Sequence, residues 1–130
     1  MNIKQLELPK IENALGNIAV IEKDTLPFAV KRVYYLYDIP SSAKRGGHAH
    51  LNLQQVLIAI SGSFDVVLDD GSRRQTITLN KPDRGLLITT KIWRELENFS
   101  SGAVCLVLAS EEFSEDDYIR DYDDFLASIS

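Results

Sequence analysis

Short runs rich in β-branched and aromatic residues recur along the chain, and each is cut off within a few residues by proline, glycine or a polar cluster. They fall at residues 3–8, 18–22, 29–37, 55–60, 64–68, 75–79, 86–88, 92–96 and 104–109. Strand-like runs at such regular, short spacing indicate an antiparallel sandwich or barrel. The run at 55–60 is continuously apolar, which marks a strand buried on both faces. The runs at 64–68 and 75–79 flank Asp70-Gly71, a hairpin signal in which both turn positions are expected at positive φ. Only the C-terminal end changes character. Ser114 reads as an N-cap followed by acidic residues, and Tyr118, Tyr122, Phe125 and Ile129 then recur at helical spacing. The expected fold class is therefore all-β: a jelly-roll barrel of antiparallel strands closed by one short C-terminal α-helix.

At 130 residues the chain is expected to form a single domain over 1–130, large enough to bury a core without disulfides. Its one cysteine, Cys105, lies in an apolar run and reads as a small core residue, which fits a reducing cytoplasm. No apolar stretch reads as a signal peptide or membrane span. The net charge of -5 argues against general nucleic-acid binding.

Chemistry gathers in Arg45-Gly46-Gly47-His48-Ala49-His50, which holds both histidines of the protein. In an extended strand, residues i and i+2 project from one face, so His48 and His50 point together. Paired imidazoles can ligate metal, transfer protons or simply pack. A divalent site of this kind wants a third imidazole or carboxylate ligand. At the spacing where barrel metal sites carry a glutamate, this chain has Gln55, and there is no third histidine. Proton transfer beside a ketone needs a neutral imidazole and donors for the developing enolate oxygen. Tyr35, Tyr37, Arg45, Gln55 and Arg94 are the candidates to supply them.

The run Arg32-Val33-Tyr34-Tyr35, the histidine stretch, Gly62-Ser63, Leu68-Asp69-Asp70-Gly71, Trp93, Phe99-Ser100-Ser101, Val107-Leu108-Ala109-Ser110 and Asp117-Tyr118-Ile119-Arg120 together resemble the sugar 3,4-ketoisomerase family, in the cupin superfamily, over nearly the whole chain. The resemblance implies a metal-independent cupin barrel that needs no cofactor and acts on a dTDP-linked 4-keto-6-deoxyhexose. It moves the keto group from C4 to C3 through an enediol. It further implies a homodimer with exchanged N-terminal strands, and a bacterial pathway to the 3-amino-3,6-dideoxy sugars of cell-surface glycans; the expected location is the cytoplasm. The family's catalytic histidines fall on His48, the expected base at C3, and His50, the expected carrier of protons between the oxygens and C4. Its barrel tyrosines fall on Tyr35 and Tyr37, with Tyr37 expected in the catalytic set. Arg94 resembles the branch that gives a gluco-configured product, and Leu15 stands where some relatives carry a larger residue.

Arg32, Arg45 and Arg94 are the expected grips for the diphosphate, because guanidinium binds phosphate bidentately. Trp93 is a candidate to stack on the base, or else a core indole. The acidic run 111–124 reads as a solvated helix face. Two other functions share these features: an epimerase on the same nucleotide sugar, and a non-catalytic cupin that binds one.

Overall fold

A computed structural model describes residues 1–130. The strands are β1 (Ile3–Glu7), β2 (Lys10–Asn13), β3 (Gly16–Ala19), β4 (Arg32–Leu36), β5 (Arg45–His50), β6 (Gln55–Ser61), β7 (Phe64–Asp69), β8 (Arg74–Leu79), β9 (Arg84–Ile88), β10 (Trp93–Glu97), β11 (Val104–Ala109) and β12 (Tyr118–Ile119); one helix, α1 (Tyr122–Ile129), ends the chain. Two antiparallel five-stranded sheets form the barrel, in the orders β1-β9-β6-β11-β4 and β12-β5-β10-β7-β8. This is the all-β cupin-type jelly roll with a C-terminal helix that the strand spacing and the resemblance led one to expect. No helix is long and apolar enough to cross a membrane.

Alternation along each strand decides what enters the barrel. In β6, Leu57 and Ala59 face the central core, while Val56 and Ile58 pack in a second cluster on the outer face of the same sheet. That strand is buried on both faces, as its unbroken apolar run requires. Gln55 shares the parity of Leu57 and so enters the barrel. In β10, Leu96 belongs to the central core and Trp93 to a third cluster with Ala49 and Phe125 beneath α1. Arg94, two residues before Leu96, therefore points inward. Cys105 is fully buried in the central core, and burial pushes its thiol up to about 12.

Three local expectations are revised. The run at 18–22 is preceded by a strand where none was expected: the chain at 10–19 is a complete hairpin, with Lys10 pairing Ala19 and Asn13 pairing Gly16. The β7–β8 connection is longer than a two-residue turn: Gly71 has φ +94°, but Asp70 does not adopt positive φ. Instead the Asp70 carboxylate accepts from the backbone N–H groups of Ser72 and Arg73, each at 2.8 Å. Finally, the helix does not start at Ser114. Residues Glu115–Asp117 form a 3₁₀ turn, Tyr118 and Ile119 pair with His50 and Ala49, and α1 begins only after Asp121, whose side chain accepts from the Asp124 N–H. Ladder pairing to β5 and the bonds made by Asp117 outweigh the helical pattern there, a tertiary override of local propensity.

Candidate active site

Extended backbone through β5 carries His48 and His50 to the same side, with Ala49 turned the other way beneath α1. The imidazole centroids lie 4.7 Å apart with ring planes at 86°. The Tyr118 ring sits against both, at 5.0 Å from His48 and 4.4 Å from His50. Gly46, at φ +75°, supplies the left-handed backbone that brings the strand into this position.

A cavity of about 320 Å³ opens beside His48. Fourteen residues line it, four of them arginines (Arg32, Arg45, Arg94 and Arg120) and none acidic. It is a cationic pocket in a protein of net charge -5, suited to an anionic ligand such as a diphosphate.

Arg94 anchors the floor. It is 1% exposed, and its hydrogen-bond partners are neutral, with no carboxylate among them. Its Nε and Nη2 donate to the Ile92 carbonyl at 3.2 and 2.9 Å, and its Nη1 donates to Gln55 Oε1. Gln55 Nε2 in turn donates to the Tyr34 hydroxyl at 3.4 Å. Burial pulls the Arg94 guanidinium down to about 10, so it keeps its charge at neutral pH. A buried cation fixed by neutral acceptors only is a standing invitation to negative charge.

The same burial, reinforced by Arg94, holds His48 down to about 2 and His50 to about 3, so both rings are neutral at pH 7. Their Nε2 atoms are buried without hydrogen-bond partners. His50 is fully buried behind His48 and Tyr118 and does not itself line the cavity. Its Nδ1 lies 3.1 Å from Asp117 Oδ2. Nowhere do three His, Cys, Asp or Glu side chains gather as a metal site would need.

The structure thus brings together His48, His50, Gln55, Arg94, Arg32 and Arg45 of the residues singled out above. It does not bring the others. Tyr35 and Tyr37 are 60% and 62% exposed outside the cavity, while Arg32, Tyr34 and Leu36 line it. Of β4's two faces, the core took the one that carries Leu36, and a shift of one residue in parity exchanges every side chain. Trp93 is buried against Phe125 and Tyr122, with ring centroids 5.8 and 5.4 Å away, on the outer face of its sheet. It is a core indole that supports α1.

Tyr118, Arg120 and Asp117 were not anticipated as site residues. Arg120 lies over the Tyr118 ring at 4.2 Å and is bidentate to Glu115. The signal that could have found them was the Asp-Tyr-Ile-Arg motif itself, hidden by reading it as the first turn of a helix.

The whole chain is similar to known proteins. The family model described as FdtA: WxcM-like, C-terminal, matches residues 1–130. A TDP-4-oxo-6-deoxy-alpha-D-glucose-3,4-oxoisomerase of Aneurinibacillus thermoaerophilus is 44% identical over 131 residues, covering 100% of this chain and 94% of the relative. Among solved structures, the WlaRB TDP-quinovose 3,4-ketoisomerase from Campylobacter jejuni is 48% identical, with a TM-score of 0.92 over 97% of this chain and 98% of that one. A His-to-Asn mutant of the 3,4-ketoisomerase QdtA from Thermoanaerobacterium thermosaccharolyticum, in complex with TDP-4-keto-6-deoxyglucose, is 39% identical, with a TM-score of 0.96 over 98% of this chain and 94% of that one.

Proposed function

The chain belongs to the family described as FdtA: WxcM-like, C-terminal, and on that premise we propose that it is a sugar 3,4-ketoisomerase acting on TDP-4-keto-6-deoxyglucose. The observation that carries the chemistry is the neutral His48 imidazole, held at a cavity whose floor is a buried guanidinium without a carboxylate partner. A C–H bond beside a ketone is weakly acidic, and a neutral base removes its proton only where the developing oxyanion is stabilised.

In this reading His48 takes the C3 proton. The C–H electron pair forms the C3–C4 double bond, and the C4 carbonyl electrons move to O4, beside Arg94. O4 gains a proton to give the enediol. O3 then loses its proton, C4 gains one, and the carbonyl re-forms at C3. Nothing is oxidised or reduced overall, and the product is an isomer of the substrate. His50 serves the proton transfers to oxygen and C4 from behind His48. Gln55 holds Arg94 in place, and Arg32 and Arg45 grip the diphosphate. Arg94 in this position, and the identity to a quinovose-type isomerase, support the gluco-configured product.

The working form in this reading is a cytoplasmic homodimer. Support comes from apolar surface that one chain leaves uncovered. Val33 and Tyr35 on the outer face of the edge strand β4, and Tyr37 just past its end, are exposed, and the β2–β3 hairpin, paired only with itself, exposes Ile11 and Ile18 and ends near Leu15, which is 99% exposed. Exchange of that N-terminal hairpin between two copies would cover both surfaces.

The test is proton NMR of the protein with TDP-4-keto-6-deoxyglucose in deuterated buffer. A 3-keto species with deuterium at C4 is expected, its couplings giving the configuration. Label at C3 or C5 with the ketone unmoved would make it an epimerase, and an unchanged, unlabelled sugar would leave only a binding protein.

A further inference from the structure

The cavity has an electrostatic difficulty that His48 alone does not solve. A base that accepts a proton becomes a cation, here among four arginines and no lining carboxylate. The one carboxylate in contact with the imidazole pair is Asp117, and it reaches them through His50.

Asp117 is held in place by the backbone. Its Oδ1 accepts from the Asn52 N–H at 2.7 Å, and its Oδ2 accepts from the Leu53 N–H at 3.1 Å. Its own carbonyl accepts from the Leu51 N–H at 3.0 Å, pinning the end of β5 to the segment that carries Asp117. Both of its oxygens already act as acceptors, which is the only part a carboxylate plays. The third contact, Nδ1 of His50 at 3.1 Å, must therefore be a donor. In a neutral imidazole this leaves Nε2 as a bare acceptor. That atom is buried and unpartnered, in a ring packed against His48 and Tyr118. An orphaned buried acceptor is costly, a cost that survives at sites where the group is used.

We infer that Asp117 is a positioning residue that fixes His50 as its Nδ1–H tautomer, so that Nε2 keeps a free lone pair in a ring packed against His48 and the pair shares the positive charge His48 acquires when it takes up the substrate proton. Charge then spreads along His48, His50 and Asp117, away from the arginines. The inference rests on the ketoisomerase reading for what the charge is, but the tautomer itself does not depend on it.

The test begins with the unmodified protein, by ¹⁵N NMR of its two imidazoles at neutral pH. The expected His50 signals are a protonated Nδ1 and an unprotonated Nε2. A protonated Nε2 would overturn the inference, whatever the activity. The second step is Asp117→Asn, which keeps an oxygen for Asn52 but sets an amide N–H₂ against Nδ1. It should flip His50 to the Nε2–H tautomer and lower kcat at least about a hundredfold, with KM within about threefold. In a His50→Asn background the same change should cost nothing further. Nearly unchanged kcat, an additive loss, or a loss confined to KM would each overturn it. If Asp117→Asn fails to fold, the tautomer in the unmodified protein still decides.

Discussion

Acid should unfold this protein early, and its two histidines alone should set the onset. Both are buried and neutral, with pKa values lowered from 6.5 to about 2 for His48 and about 3 for His50. The unfolded chain takes up protons at both as pH falls through 6.5, and the folded chain does not. Stability is therefore fully present above pH 6.5 and is lost progressively towards the folded values. At pH 5 each ring forfeits about 2 kcal/mol relative to neutrality, or about 4 kcal/mol for the pair, with a limiting slope near 2.7 kcal/mol per pH unit. The chain has no other histidine, so groups of ordinary carboxylate range contribute only lower down. Asp65, for instance, held below its usual value by Asn98 and Thr78, loses its contribution at more acidic pH. Urea unfolding at closely spaced pH values from 7 to 5 measures the slope as proton uptake on unfolding, rising towards two. His48→Asn and His50→Asn should each remove one of those protons. A flat profile over this range, or slopes unchanged in the variants, would refute the claim that the folded protein keeps these rings uncharged.

Three further outcomes follow from the packing. Arg94→Met should abolish measurable isomerisation and yet cost less than about 2 kcal/mol of stability, because replacing an unpaired buried cation offsets the loss of its bonds to Ile92 and Gln55; equilibrium unfolding beside turnover checks both halves. Trp93→Ala should destabilise the fold by about 3–5 kcal/mol through the cavity left under α1, while calorimetric affinity for TDP stays within a few-fold, whereas a base-stacking indole would show the reverse. Tyr35→Glu, at an exposed position, should leave the monomer fold intact and shift the mass seen by light scattering from dimer to monomer.

The barrel could be read from the chain because its evidence is local. Turn residues and alternation mark each strand, and the unbroken run in β6 announces burial on both sides. The histidine pair was equally legible, since spacing by two on an extended strand needs no tertiary information. The β4 face was not. Tyr35 with Tyr37, and Tyr34 with Leu36, are equally acceptable alternations, and only the packing of Leu36 against the core chooses between them. The Asp117 contact was hidden more deeply, because it joins residues 67 positions apart and sits where periodicity suggests a helix. Arg94 and Gln55 were both recognised, but their bond, across 39 positions, needed the fold to reveal that one fixes the other.

The claim at the centre of the account is that His48 removes the proton from C3. Its most direct test is His48→Asn, followed by NMR of the C3 proton of TDP-4-keto-6-deoxyglucose in deuterated buffer alongside calorimetric titration with TDP. Exchange at C3 is expected to disappear while TDP binds with nearly unchanged affinity, since the arginines that line the cavity are untouched. Continued exchange in a folded variant would contradict it and move the role of base to another side chain.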